Sequence, residues 1–244
     1  MTTVLALDAS SSACSAAVWH APEGHPKQGQ VISRYELAPR AHTRKLLPMA
    51  EAVLAEAGIP LAHVDTIAYG RGPGAFTGIR IAAGMAQGLA YGIGCPAIAI
   101  STLSVLALAA AERYGVHDAL GVLDARMGEV YAGGFHVHHD IDGLPEMTAW
   151  LQECVCPPEA VQLPDTLPER CVGFGPGMVY LDQFPQALQS ILTDHDATPE
   201  PDAAYLVRLA ARAYLAGEAV SPEQAQPVYL RDNVAARSTR GPLA

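Results

Sequence analysis

Two α/β lobes of similar build, each a sheet flanked by helices, are what this sequence predicts, and three observations predict it. Apolar runs with strand character alternate with runs at helical spacing through the first half of the chain. The tripeptide Leu7-Asp8-Ala9 returns as Leu123-Asp124-Ala125. The string Gly70-Arg71-Gly72-Pro73-Gly74 has an echo in Gly173-Phe174-Gly175-Pro176-Gly177. After each copy of the tripeptide comes a small-residue strand that ends at Trp19-His20 and Phe135-His136, at the same offset. Two matches in the same order point to an ancient duplication. With 244 residues and 50% hydrophobic content the chain can bury the cores of two compact lobes, expected at residues 1–101 and 102–230, with 231–244 as a mobile tail.

The elements follow in order. Val4 to Leu7 and Ala16 to Trp19 read as a hairpin around the small polar stretch Ala9 to Ser12, and Val31 to Leu37 supplies a third strand after a loop rich in Gly and Pro. Leu46, Leu47, Ala50, Val53, Leu54 and Ala57 fall at helical spacing before Gly58, with Pro48 expected to begin or kink that helix. Thr66 to Tyr69 is a buried strand that enters the glycine loop. A helix over about Thr77 to Tyr91, a strand over Ala97 to Ile100 and an alanine-rich helix over Thr102 to Tyr114, stopped by Gly115, complete the first half. Leu120 to Leu123 opens the second set of strands. Asp140 to Leu163 is irregular, with a strand near Ala149 to Val155 and a short helix after Pro157. An amphipathic helix runs from Ala203 to Ala216, and Val228 to Leu230 is a last strand-like piece.

Composition narrows the function. A net charge of -10 repels phosphodiester backbones, so the chain is not expected to be the main nucleic-acid contact. Only 16% of residues are charged, which suits a surface partly hidden against a partner protein. Five cysteines without ligand spacing read as reduced thiols. The start has neither a basic n-region nor an uninterrupted apolar run, so a cytoplasmic protein with no membrane contact is expected.

Several groups are candidates for chemistry. Asp8 and Asp124 each end a strand and open a turn, where a carboxylate can orient a metal-bound phosphate while Ser10, Ser11 and backbone amides bind its oxygens. The bland alternative, an Asp that caps its own turn, is favoured because the second copy has no serines. Gly72 and Gly74 belong to a loop that can aim amides at an anion, with Thr77 as the helix cap. It lacks a Walker ending, and a sharp turn explains the glycines equally well. Asp8, Ser10, Ser11, Gly72, Gly74 and Asp124 are therefore read as a vestigial nucleotide site at most. His136, His138, His139 and Asp140 suggest a metal, but no third ligand is placed and an exposed hairpin end accounts for them. No catalytic residue and no metal ligand is assigned.

The helix after the glycine loop carries two stripes of small residues: Gly78, Ala82, Ala86 and Ala90, and then Gly84, Gly88 and Gly92. Glycine costs a helix about 1 kcal/mol relative to alanine, so something must pack close to this backbone. One stripe can face the chain's own sheet. The other is read as a surface for a partner helix, and Leu46, Leu47, Ala50, Val53, Gly78, Ala82, Gly84, Ala86, Gly88 and Tyr91 are the candidate interface residues.

The opening Leu5-Ala6-Leu7-Asp8-Ala9-Ser10, the Ala41-His42-Thr43 entry into Leu46-Leu47-Pro48-Met49, the segment Gly72 to Arg80 and the late Pro227-Val228-Tyr229-Leu230-Arg231 together resemble the bacterial TsaB (YeaZ) family. The resemblance implies a duplicated actin-like, sugar-kinase-like (ASKHA) fold and an accessory subunit that pairs with the catalytic subunit TsaD and the small ATPase TsaE. In that system threonylcarbamoyl passes from its adenylate to N6 of the adenosine after the anticodon of tRNAs reading codons that begin with A. It also implies that tRNA is met through the complex, that ATP or ADP with Mg can sit at a partner interface, and that the chain can dimerise with itself when alone. The catalytic relative carries a His-x-x-x-His metal pair. Here His42 is followed four positions on by Leu46, so neither the transferase metal centre nor the endopeptidase activity of older family labels is expected. The competing expectation is a stand-alone ATP-dependent kinase or hydrolase that uses Asp8 and Asp124.

Overall fold

A computed structural model describes residues 1–25, 28–140 and 143–231. Of the tail only Arg231 lies within these residues; the expectation for the rest of it falls outside them.

Two five-stranded mixed sheets form the frame. The first contains β1 (Thr2–Asp8), β2 (Ala13–Ala21), β3 (Gln30–Leu37), β4 (Thr66–Gly72) and β5 (Ala97–Ser101), in the order β3-β2-β1-β4-β5. The second contains β6 (Asp118–Arg126), β7 (Glu129–His139), β8 (Pro145–Cys156), β9 (Cys171–Phe174) and β10 (Leu192–Asp196), in the order β10-β9-β6-β7-β8. In each sheet the first three strands are antiparallel and the last two join in parallel. The two sheets thus have the same topology, strand for strand. Asp8 and Asp124 stand at the ends of equivalent strands, and the two glycine strings follow equivalent strands.

Helices α1 (His42–Ala57) and α2 (Phe76–Ile93) cover one face of the first sheet. Leu5, Leu7, Ala16 and Val18 meet Leu46, Val53, Ala82 and Ala86 there. Strand alternation sends Val4, Ala6 and Ala17 to the opposite face. That face is covered by α5 (Ala203–Leu215), which follows the second sheet in sequence yet packs on the first through Leu206, Val207 and Ala210. Between the sheets lies α3 (Thr102–Tyr114). Val105 and Leu108 join the first sheet's core, and Leu103 and Leu106 join the second's. A helix buried on every side needs apolar residues all round, which the alanine-rich run supplies. Beyond the second sheet, a 3-10 helix (Pro176–Gln183) and the short α4 (Gln186–Ile191) close the last core layer with Met178 and Leu188.

The differences from the sequence reading have local causes. α1 starts at His42, so Pro48 lies within the helix and does not open it. The segment read as irregular holds the 12-residue strand β8, whose inner half buries Trp150 and Leu151. Trp150 lies over Gly134, where an added Cβ would come within 2.4 Å of the indole. Val228 to Leu230 forms no strand, although the Val228 amide donates to the Arg71 carbonyl at 2.8 Å. All five cysteines are free. Among the described residues no helix is long and apolar enough to cross a membrane.

α3 approaches β6 so closely that a Cβ on Gly121 would sit 2.3 Å from the Leu103 carbonyl oxygen, a backbone atom that cannot swing away. Gly121→Val is expected to lower stability by at least the ~1–3 kcal/mol typical of an overpacked core, read as a reduced midpoint in urea unfolding.

Candidate functional site

The two repeated turns and the glycine loop meet at a cleft between the lobes, of about 710 Å³. Ser10, Ser11, Ser12 and Gly74 line one wall, Asp124 and Arg126 the other, and Val228 to Arg231 run along the edge. The first turn is held by its own side chains. Asp8 Oδ1 accepts from the Ser10 amide at 3.0 Å and from the Ser10 hydroxyl at 2.9 Å. The Ala13 amide donates to Ser11 Oγ at 3.2 Å, and Ser12 Oγ donates to Glu200. In the second turn Asp124 accepts from the Arg126 amide at 2.7 Å and from its guanidinium at 2.9 Å. Both aspartates do what a turn-capping Asp does.

The glycine loop is spent on close packing. The Ala75 amide donates to the Ser10 carbonyl at 2.6 Å. A Cβ on Gly74 would lie 2.2 Å from the Ser10 oxygen, and one on Gly78 would lie 1.8 Å from the Ala9 oxygen. Gly72 has φ of 101°, in the left-handed region that favours glycine. The glycines therefore let the start of α2 lie backbone to backbone on the β1–β2 turn. Ala75 occupies the cap position without a side-chain bond, so Thr77 is not the cap.

Asp8 is fully buried and does not line the cleft; its Oδ2 finds no hydrogen-bond partner and lies where a Cβ on Gly70 would be, 2.0 Å away. Burial, opposed by the Ser10 hydrogen bonds and aided by Asp202 and Glu200, pushes its carboxyl from 3.8 up to about 6. A Mg-nucleotide held between Asp8 and Asp124 does not fit this arrangement, because one carboxylate faces the interior and the other is bound by Arg126. Among the described residues no three His, Cys, Asp or Glu side chains gather as a metal-holding set. His136 and His138 do share a face, with ring centroids 6.5 Å apart, but His136 donates to Asp118, and His138 stacks on His117 at 6.3 Å. His139 pairs with Glu112 at 3.1 Å. His42 Nε2 donates to the Ala13 carbonyl at 3.1 Å and so ties the start of α1 to β2.

The structure divides the ten candidate interface residues. Leu46, Ala50, Val53, Gly78, Ala82 and Ala86 are buried in the chain's own core and are not available to a partner, which corrects that part of the reading. The reason is the first sheet, which takes the Gly78, Ala82, Ala86 and Ala90 stripe. Leu47, Gly84, Gly88 and Tyr91 are exposed, Tyr91 to 72%. An added Cβ at Gly84, Gly88 or Gly92 would meet nothing beyond its own helix within 4 Å among the described residues. Sequence reasoning missed Phe76 and Tyr229, exposed aromatics at the cleft whose rings lie 6.2 Å apart. The sequence held a signal for Phe76 alone, its spacing of one helical turn to Arg80, whose guanidinium lies over both rings.

Comparison with known proteins decides the family. A family model described as TsaD: tRNA N6-adenosine threonylcarbamoyltransferase matches residues 23–239. The tRNA threonylcarbamoyladenosine biosynthesis protein TsaB of Haemophilus influenzae is 38% identical over 95% of this chain and 94% of its own length. Its Escherichia coli namesake is 36% identical over 98% of both. The chain belongs to the TsaB (YeaZ) family. Among solved structures, YeaZ from Pseudomonas aeruginosa superposes with a TM-score of 0.83 at 43% identity, over 94% of this chain and all of that one. For this TsaB-family chain the two-lobed α/β architecture with two mixed sheets is therefore that of a solved relative.

The buried Asp8 gives a pH signature. Between 3.8 and about 6 the unfolded chain has already released this proton while the folded chain retains it, so ionising Asp8 lowers stability as pH rises through that window. Asp8→Asn is expected to gain on the wild type by on the order of 3 kcal/mol between about pH 4 and about pH 7, measured as the change in their unfolding free-energy difference. A pH-independent difference would show that Asp8 ionises normally.

Proposed function

We propose that this chain is the non-catalytic partner subunit of a tRNA-modifying assembly that forms threonylcarbamoyladenosine. Its role is to dock onto a TsaD-like catalytic subunit, with a TsaE-like ATPase as third member. The catalytic partner transfers threonylcarbamoyl from its adenylate to N6 of the adenosine that follows the anticodon in tRNAs reading codons that begin with A. The names of the relatives support the pathway, and the identical topology of the two sheets supports a duplicated actin-like (ASKHA) core with lobes built on 1–101 and 102–230, except that α5 of the second stretch packs on the first sheet. A cytoplasmic location follows from that role.

The observation that carries the docking role is the exposed stripe Gly84, Gly88 and Gly92, beside Tyr91. Among the described residues nothing outside the helix's own backbone lies within 4 Å of a Cβ at these three positions, so no contact among them requires glycine there. Each glycine costs about 1 kcal/mol of helix propensity relative to alanine, and close approach by a helix outside the chain offsets that cost. The same face offers a route to self-dimerisation when the partner is absent. A stand-alone kinase or hydrolase is disfavoured by the inward orientation of Asp8 and the arginine-bound state of Asp124.

Gly84→Ala and Gly88→Ala are each expected to stabilise the isolated chain by about 0.5–1 kcal/mol, seen as a raised unfolding midpoint. Gly88→Leu is expected to leave the monomer folded but abolish co-elution with the TsaD-like subunit in size-exclusion chromatography. A Gly88→Leu chain that still forms the heterodimer with unchanged affinity would remove this face from the interface. ATP turnover by the isolated chain, abolished in Asp8→Ala, would favour the enzyme reading instead.

A further inference from the structure

We propose that the mouth of the interlobe cleft binds a short stretch of single-stranded RNA, with a base against the Phe76–Tyr229 pair and phosphates at Arg40 and Arg126. The choice of RNA rests on the proposed part in tRNA modification; the site rests on the geometry. A cleft of about 710 Å³ is of the size that takes a nucleotide-sized group, since ligand sites span about 300–1,000 Å³. Its rim carries what a single strand needs, which is π-faces for bases and cations for phosphates. Phe76 and Tyr229 are 57% and 45% exposed, and Arg80 lies 3.2 Å and 4.8 Å from their ring centroids. A base can stack on this platform or on the guanidinium plane.

Despite the net charge of -10, arginines outnumber carboxylates in the cleft lining, Arg40, Arg126 and Arg231 against Asp124 and Glu200. Arg40 and Arg80 have no acidic partner among the described residues, and both are exposed. Arg126 keeps 85% of its side chain exposed while it touches Asp124. The three non-glycine residues with positive φ among those described are Arg40 (63°), Arg126 (64°) and Met127 (59°). The two arginines line the cleft, and Met127 lies 3.9 Å from the Arg231 guanidinium at its edge. At Arg126 and Met127 this geometry belongs to the tight turn between β6 and β7, which holds the Arg126 side chain out at the cleft. The two carboxylates of the cleft are engaged, Asp124 by Arg126 and Glu200 by the Ser12 hydroxyl, whereas arginine and aromatic groups suit a polymer's phosphates and bases.

The test uses the full chain and a dye-labelled oligoribonucleotide of about ten nucleotides, within the ~4–16 that one such groove tracks, read by fluorescence anisotropy across a salt series. Salt-dependent binding is expected, weakened about tenfold by Phe76→Ala. In the double variant Arg40→Asn with Arg126→Asn the slope of log affinity against log salt should fall by about 1.4, at ~0.7 for each phosphate that the variant leaves unneutralised. All three positions are exposed, and thermal unfolding checks that the variants fold. No binding at low salt, wild-type binding by the variants, equal affinity for an RNA duplex, or binding of free ATP with no RNA binding would each overturn the proposal. Gly88→Leu should bind RNA normally, so a failure of docking and a failure of RNA binding are read separately.

Discussion

The backbone contact between the start of α2 and the β1–β2 turn is the constraint on which the rest of the molecule depends. The Ala75 amide reaches the Ser10 carbonyl, and Gly74 and Gly78 leave no room for a side chain between helix and turn. This contact sets how α2 lies on the first sheet. With the helix fixed there, Ala82, Ala86 and Ala90 must face the core and Gly84 and Gly88 must face outward. It also places Phe76 at the cleft, where it meets Tyr229 from the far end of the chain.

The first turn and the glycine loop resemble phosphate-binding elements in sequence, but here each satisfies the other. The Ser10 and Ser12 hydroxyls and the Ala75 amide, which could have met an anion, are taken by Asp8, Glu200 and the Ser10 carbonyl. Asp8 is withdrawn behind Gly70 into a region where ionisation is disfavoured. The cations left at the cleft stand on a different set of residues, Arg40, Arg80 and Arg126.

The glycines divide into two physical kinds. Gly70, Gly74, Gly78 and Gly121 are required because another atom already occupies the place of their Cβ. Gly84, Gly88 and Gly92 have empty space there among the described residues, which offer nothing to compensate their cost to the helix. The first kind fixes the fold, and the second kind argues for a surface that is completed by another molecule.

Much of the first half was legible because its signals are local. Helix spacing, the stops Gly58 and Gly115 with left-handed φ, and the buried run in β4 each depend on a few neighbouring residues. The second sheet was less so: β10 is an exposed edge strand of sequence Leu-Thr-Asp-His-Asp, with no apolar alternation to mark it. Both small-residue stripes of α2 read alike, and Phe76 and Tyr229 are too far apart in sequence for any spacing rule to join them. By itself the sequence determined the duplication, the family and the presence of a helix with two unusually small faces. Only the tertiary structure decided which face is covered, that Asp8 points inward and that arginines and aromatics meet at one cleft. Periodicity records which residues share a face, whereas burial depends on what the rest of the chain brings against it.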